Sequence, residues 1–234
     1  MLTKNSFRTF CLFFSIIFLS IPLNSSENNI FYGKGSAGKK LVALTFDDGP
    51  GLYTEPILEI LAKYNIKATF FMEASQIEKR PLIARKVLEG GFEIGSHSYS
   101  HPNFWKYEKE DKKEILAREI EKAEQTIEKI LKFKPVLLRM PYGFVRQWVK
   151  DAAREKNYKI ISWTFGCDWK KMSKEEMVQQ YLKHLMPGAI FLMHDGGGKH
   201  ETTVESLPEI IEGIQKQGYK IVNISEMFGF ERKE

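Results

Sequence analysis

The residues of this chain whose types and spacing could carry out hydrolysis are the adjacent pair Asp47 and Asp48, the pair His97 and His101, and a third histidine, His194. The aspartates stand in Thr45-Phe46-Asp47-Asp48-Gly49-Pro50, where Gly49-Pro50 enforces a turn, so one carboxylate can face a cation while its neighbour stays free. Asp-Gly and Gly-Pro are also ordinary turn chemistry, and these dipeptides alone do not separate the two readings. In His97-Ser98-Tyr99-Ser100-His101-Pro102 the four-residue step would align two imidazoles on a helix, but Gly95, the two serines and Pro102 argue for a loop. A lone histidine is more often a core or capping group. Two on one constrained loop can converge, and with Asp48 they make a set of two histidines and one carboxylate with open positions. Such a set suits Zn²⁺ or another divalent first-row ion and admits water.

Three further residues could complete the chemistry. Met193-His194-Asp195 supplies a histidine that is surplus to the ligand set and can serve as a general acid. Arg139, ahead of Pro141-Tyr142-Gly143, is either a surface charge or a cation that holds Asp47 ionised and oriented. Asp168 is either a turn carboxylate or, opposite His194, the group that raises the imidazole's pKa and fixes its orientation. His184, within a predicted helix, and His200, in a glycine-rich loop, read as unassigned surface residues. Cys167 reads as a small buried residue, because no histidine adjoins it in sequence to activate a thiolate.

These residues need a scaffold that gathers them from distant parts of the chain. Short runs rich in β-branched and aromatic residues alternate with segments of helical period, the pattern of repeated β-α units. Strands are expected at Leu41–Phe46, Ala68–Phe71, Phe92–Gly95, Val136–Arg139, Lys159–Thr164, Ala189–Met193 and Tyr219–Asn223. Helices are expected over Thr54–Tyr64 with Thr54 as cap, Pro81–Glu89, Glu110–Leu131, Val145–Glu155, Lys174–Leu185 opened by Ser173, and Val204–Gln217. Repeats of this kind without a hairpin signal predict a parallel sheet closed into a barrel or near-barrel, with an open doubly wound sheet as the alternative. Either way, reactive groups belong beyond the carboxyl ends of the strands. Asp47, Asp48, His97, Arg139, Asp168 and His194 all fall at or just past expected strand ends.

At 234 residues, 43% of them apolar and 13% aromatic, the chain is globular and of a length one domain commonly fills. Lys4 and Arg8 precede an apolar run from Phe10 to Leu23, which ends in the polar segment Asn24-Ser25-Ser26-Glu27. This order reads as a secretory signal over residues 1–26, with an uncleaved membrane anchor as the alternative, although a spanning helix wants about 20 apolar residues. A linker over 27–39 and a catalytic domain over 40–234 would follow, in a protein exported to the periplasm, cell envelope or exterior. Of the two cysteines, Cys11 lies in the removable run, so no internal disulfide is expected. The formal net charge of +5 permits contact with anionic surfaces, but no basic stripe interleaved with aromatics points to nucleic acid. Nothing calls for a protein partner, and a monomer is expected.

With those landmarks in place, the chain resembles the polysaccharide deacetylase family, the NodB-type carbohydrate esterases. T-F-D-D-G-P at Thr45–Pro50 and H-S-x-x-H-P at His97–Pro102 are specific as a pair. R-x-P-Y at Arg139–Tyr142, D-W at Asp168-Trp169 and L-x-H-D at Leu192–Asp195 complete the set in the family's order. The resemblance implies a distorted (β/α)7 barrel acting on N-acetylated glycans, with one divalent ion, Zn²⁺ first and Co²⁺, Mn²⁺ or Ni²⁺ as substitutes. It implies Asp47 as base, Asp48, His97 and His101 as metal ligands, and His194 as acid tuned by Asp168, with Arg139 tethering Asp47. It also implies an oxyanion donor at the Tyr142 N–H, with Pro141 beside it, and an acetyl pocket lined by Trp169 and Leu192. The segment Trp163–Trp169 is about a residue shorter than the commoner family pattern and lacks its extra aspartate. A catalytically silent glycan-binding protein on the same fold, and an amide hydrolase acting on a non-sugar substrate such as a cyclic ureide, are the competing readings.

Overall fold

The computed structural model describes residues 29–108 and 110–231; the expected N-terminal signal lies outside them. All seven expected strands are present, with ends shifted by one to three residues: β2 (Leu41–Asp47), β3 (Thr69–Met72), β4 (Glu93–Ser96), β5 (Leu137–Leu138), β6 (Lys159–Ile161), β8 (Ala189–His194) and β9 (Lys220–Val222). Two short strands join them, β1 (Phe31–Tyr32) and β7 (Phe165–Gly166). The segment expected as a linker therefore carries a strand, β1, which pairs with β6. Every ladder is parallel, in the order β1-β6-β5-β4-β3-β2-β8-β7, with β9 on the N-terminal half of β2. No ladder joins β1 to β7 among the described residues, so the sheet curls without closing, as a distorted barrel does.

Alternation along the strands explains how polar groups reach the mouth of this barrel. Side chains on a strand point to opposite faces in turn. In β2, Val42, Leu44 and Phe46 pack against the surrounding helices, whereas Ala43 belongs to the inner cluster with Phe71, Leu137, Ile161, Ile190 and Val222. The inner row of β2 thus runs Ala43, Thr45, Asp47. The same parity gives Leu137 then Arg139 after β5, and Ile190, Leu192, His194 in β8. Each inner row is apolar at the bottom and ends in an ionisable side chain at the carboxyl end, which is where the barrel rule places chemistry.

The helices are α1 (Thr54–Lys63), α2 (Ala74–Lys79), α3 (Pro81–Glu89), α4 (Lys112–Leu131), α5 (Gln147–Glu155), α6 (Lys174–Lys183), α7 (Glu201–Lys216) and α8 (Ile224–Phe228). Ser173 caps α6 with a full capping box through Glu176. Thr54 does not cap α1. Its hydroxyl instead accepts from the Gly51 N–H at 2.7 Å and donates to the buried Asp195 carboxylate, which fixes the turn after β2. The long helix α4 buries Leu116, Ile120, Ala123, Ile127 and Leu131 as one stripe. No helix among the described residues is long and apolar enough to cross a membrane.

Candidate active site

The turn after β2 brings Asp48 over the end of the barrel in a left-handed conformation, φ 68°, that non-glycine residues seldom adopt. Ser98 (φ 65°), His101 (φ 57°) and Tyr142 (φ 55°) share that backbone region. Unfavourable backbone of this kind gathers where surrounding structure holds it in place. Here the restraint on the histidine loop is visible. Glu119 of α4 accepts from the Tyr99 N–H at 3.0 Å, the Ser100 N–H at 2.8 Å and the Ser100 hydroxyl at 2.7 Å. The first amides of α2 donate from Ala74 to Ser98 O and from Ser75 to Tyr99 O, both at 3.0 Å, while the Ser98 hydroxyl accepts from the His101 N–H at 3.1 Å.

The loop delivers both imidazoles to one carboxylate oxygen. His97 Nε2 lies 3.4 Å and His101 Nε2 3.3 Å from Asp48 Oδ1, a buried oxygen that makes no hydrogen bond. His97 Nδ1 is 2.7 Å from Arg139 O, which can only accept, so Nδ1 carries the proton and the Nε2 lone pair faces Asp48. Adjacent ligand atoms of a tetrahedral zinc site with bonds of 2.0–2.1 Å stand about 3.3–3.4 Å apart, the spacing found here. An otherwise unpartnered oxygen, an imidazole Nε2 on each side of it and edges of that length fit a divalent cation. Burial alone would raise the Asp48 pKa, but the close approach of His97 and the positive charge that His97, His101 and His194 carry when protonated bring it down to about 2. It is a carboxylate across the working range of pH.

Asp47 takes a different environment. Its Oδ1 accepts from Arg139 Nη1 at 2.8 Å, while its Oδ2 is 3.6 Å from His97 Nε2 and leans toward the same centre. Arg139 is wholly buried, and the surface-charge reading does not hold. Its Nη1 also donates to Thr45 Oγ1 at 2.7 Å, its Nε to Ile161 O at 3.3 Å and its Nη2 to Ser162 O at 3.2 Å, with the guanidinium 4.1 Å over the Phe71 ring. Every edge of the fork is used, which a lysine could not do.

On the far side of the barrel mouth, His194 Nδ1 donates to Asp168 Oδ1 at 2.8 Å and the His194 backbone N–H to Asp168 Oδ2 at 2.7 Å. Thr203 at the start of α7 adds a hydroxyl to the same oxygen at 3.1 Å. Burial opposes the imidazolium, yet the Asp168 hydrogen bond and charge outweigh it and raise the His194 pKa to about 9. His194 at neutral pH is therefore a cation with a free Nε2–H.

Around the rim, exposed Tyr142 sets its ring 4.7 Å from the His101 imidazole, and its carbonyl accepts from Trp105 Nε1 at 3.1 Å. Pro141 opens the 3-10 turn that carries it. Exposed Trp169 meets His194 edge-on at 5.8 Å, and Gly166 is wedged between Trp169 and buried Leu192, which brings those two side chains together. Cys167 is buried beside them, and burial first, then Asp168, pushes its thiol up to about 11. Two expectations fail. His200 is a buried residue, not a surface one, stacked 5.3 Å from the His194 ring, and half-buried His184 lies flat on Phe165 at 3.7 Å. Sequence reasoning also passed over Glu119, Trp105 and Thr203. Glu119 is half-buried at the flank of the apolar stripe of α4, where a carboxylate is ordinary, so the letters carried no signal of its contact with the histidine loop.

Residues 34–161 match the model of the family described as polysaccharide deacetylase. A peptidoglycan-N-acetylglucosamine deacetylase of Bacillus cereus is 34% identical over 82% of this chain and 90% of its own length. The solved structure of the Bc1960 peptidoglycan N-acetylglucosamine deacetylase superposes with a TM-score of 0.82 at 33% identity, covering 91% of this chain and 99% of that one. A family pseudoenzyme from Bacillus anthracis superposes with a TM-score of 0.78 at 31% identity, covering 87% of this chain and 70% of that one. The chain belongs to the polysaccharide deacetylase family.

Proposed function

We propose that this protein removes N-acetyl groups from N-acetylglucosamine-type glycans outside the cytoplasm, releasing acetate, with peptidoglycan as the first candidate substrate. A pseudoenzyme on the same fold at similar identity means that fold alone does not decide between an active enzyme and a silent binder. The observation that carries the active reading is the buried, unpartnered Asp48 Oδ1 with an imidazole Nε2 on each side at 3.4 and 3.3 Å. A protein that only bound glycan would have no need to leave that oxygen bare, because an orphaned buried acceptor costs about 1–3 kcal/mol.

Asp48, His97 and His101 would hold one divalent ion, Zn²⁺ in the first instance. Bound there, it would lower the pKa of a water and polarise the acetyl carbonyl. Asp47, tethered by Arg139, would take the proton of the attacking water through Oδ2, the oxygen left free of the guanidinium. The left-handed turn at Tyr142 would present that residue's backbone N–H to the oxyanion, with Pro141 shaping the turn. His194 would hand its Nε2 proton to the departing sugar amine, held in register by Asp168. Trp169 and Leu192 would enclose the acetyl methyl, with exposed Trp169 also available to a sugar face. An N-terminal signal over 1–26 is consistent with work on an extracytoplasmic polymer. The test is an acetate-release panel with added Zn²⁺ or Co²⁺ on peptidoglycan, chitin oligosaccharides and O-acetyl xylan, with glycan binding assayed alongside. Acetate from the N-acetylated substrates supports the reading, whereas binding without release on every substrate returns the silent alternative.

A further inference from the structure

Asp168, His194 and His200 bring one carboxylate and two imidazoles within 4.8 Å of one another, separate from the Asp48 cluster. His200 Nδ1 stands 3.6 Å from Asp168 Oδ2, makes no hydrogen bond, and belongs to a side chain 7% exposed. The ring is held in that attitude by its stack on His194, 5.3 Å and 15° between planes, and by the Tyr53 ring edge-on at 6.0 Å. A buried ring nitrogen 3.6 Å from a carboxylate oxygen yet left unpaired is unusual, since buried polar atoms nearly always find a partner. Burial and the neighbouring His194 charge keep the His200 imidazole toward its neutral form, which leaves a lone pair to donate. The 3.6 Å edge is close to the roughly 3.3–3.4 Å between ligands in a tetrahedral zinc site.

We propose that Asp168, His194 and His200 form a second divalent-cation site, suited to Zn²⁺ and to imidazole-binding ions of its kind, whose occupation takes the leaving-group acid out of the reaction. The inhibitory half of this statement rests on the role given to His194 above; the binding half does not. The exchange balances simply: the ion takes the lone pair that His194 Nδ1 exposes once its proton leaves to solvent, and Asp168 trades its hydrogen bond from that nitrogen for a bond to the ion. His194 then keeps only the Nε2–H of a neutral, metal-bound ring, a far weaker acid than imidazolium. Mg²⁺ and Ca²⁺, which want oxygen ligands, should not compete.

Zn²⁺ alone is the probe, added to the untagged metal-free protein in a calorimetric titration with bound metal counted after dialysis. The wild type should take up two equivalents in separable steps. His200→Gln should lose the weaker step, by at least tenfold in affinity. His101→Ala, which removes a ligand of the first site, should lose the tighter step and keep the weaker one, so misfolding of one variant does not blur the result. In parallel, acetate release by the wild type should rise with the first equivalent and fall with the second, and the fall should vanish in His200→Gln. A single equivalent in the wild type, or two undiminished steps in His200→Gln, overturns the proposal. Zinc uptake is read without substrate, so a protein that binds two ions but releases no acetate refutes the deacetylase reading and leaves this one standing.

Discussion

Arg139 and His97 are locked together by a 2.7 Å hydrogen bond from the imidazole Nδ1 to the arginine's own carbonyl, while the same arginine's guanidinium holds Asp47 at 2.8 Å. One residue thus fixes the Nδ1–H of His97, the proposed metal ligand, with its backbone and the orientation of Asp47, the proposed base, with its side chain. The two tasks separate under mutation, because a substitution at 139 keeps the carbonyl and removes the fork.

Arg139→Ala leaves Asp47 buried without its partner and abandons acceptors on Thr45, Ile161 and Ser162. Breaking a buried ion pair from one side costs about 3–5 kcal/mol. Urea unfolding of the metal-free protein should show a loss of that order, and Arg139→Lys should recover only part of it because one ammonium cannot replace a fork.

Asp47 and Asp48 are neighbours in sequence with separate proposed tasks. Asp48→Asn should lose stoichiometric zinc and activity together, whereas Asp47→Asn should retain zinc, counted after dialysis, and lose turnover by about 10²–10⁴-fold. Equal zinc loss in the two variants would contradict the division.

Glu119 touches no reacting atom, yet it fixes three donors of the histidine loop. Its removal should act through ligand placement. Glu119→Ala should weaken zinc binding by about 10–100-fold, the range for lost outer partners of metal ligands, and saturating zinc should restore most of the turnover.

His194 carries its proton up to about pH 9 in the metal-free protein because Asp168 is bonded to it against the pull of burial. A raised histidine pKa means that the interaction contributes stability in full below about pH 6.5 and loses it as pH climbs through 9. The acid needed for turnover follows the same sign, present at low pH and lost on the basic side. A cation at Asp48 would offset the share of the rise due to Asp47 and Asp48, so the working limb should lie below 9, while the Asp168 share remains. In Asp168→Asn the basic limb of kcat should move toward neutral pH, with the acidic limb in place. An unmoved basic limb would remove His194 from the acid role.

Most of the scaffold could be read from periodicity. Strand β2 alternates so regularly that the inner row Ala43, Thr45, Asp47 is visible in the letters, and the apolar stripe of α4 fixes that helix to within two residues of its start. What escaped were elements too short to carry a period: β1 and β7, of two residues each, the six-residue α2, which lacks a side-chain cap, and the five-residue α8, although Asn223 caps it. Thr54 looked like a cap because its local sequence suits one, but a buried carboxylate from β8's end, Asp195, claims the hydroxyl through a contact 141 residues away in sequence. His200 was misplaced for a similar reason. The glycines before it suggest an exposed loop, yet three-dimensional stacking on His194 buries it. Local chemistry singled out the side chains that meet at the barrel mouth, and long-range packing decided which neighbours they met.

Acetate release from an N-acetylated glycan, followed as zinc is returned to chelator-stripped protein, tests the central claim most directly. Activity should be absent without metal, return in full at one equivalent in the wild type, and fail to return in Asp48→Asn. Undiminished release with chelator in excess, or full recovery in Asp48→Asn, would contradict it.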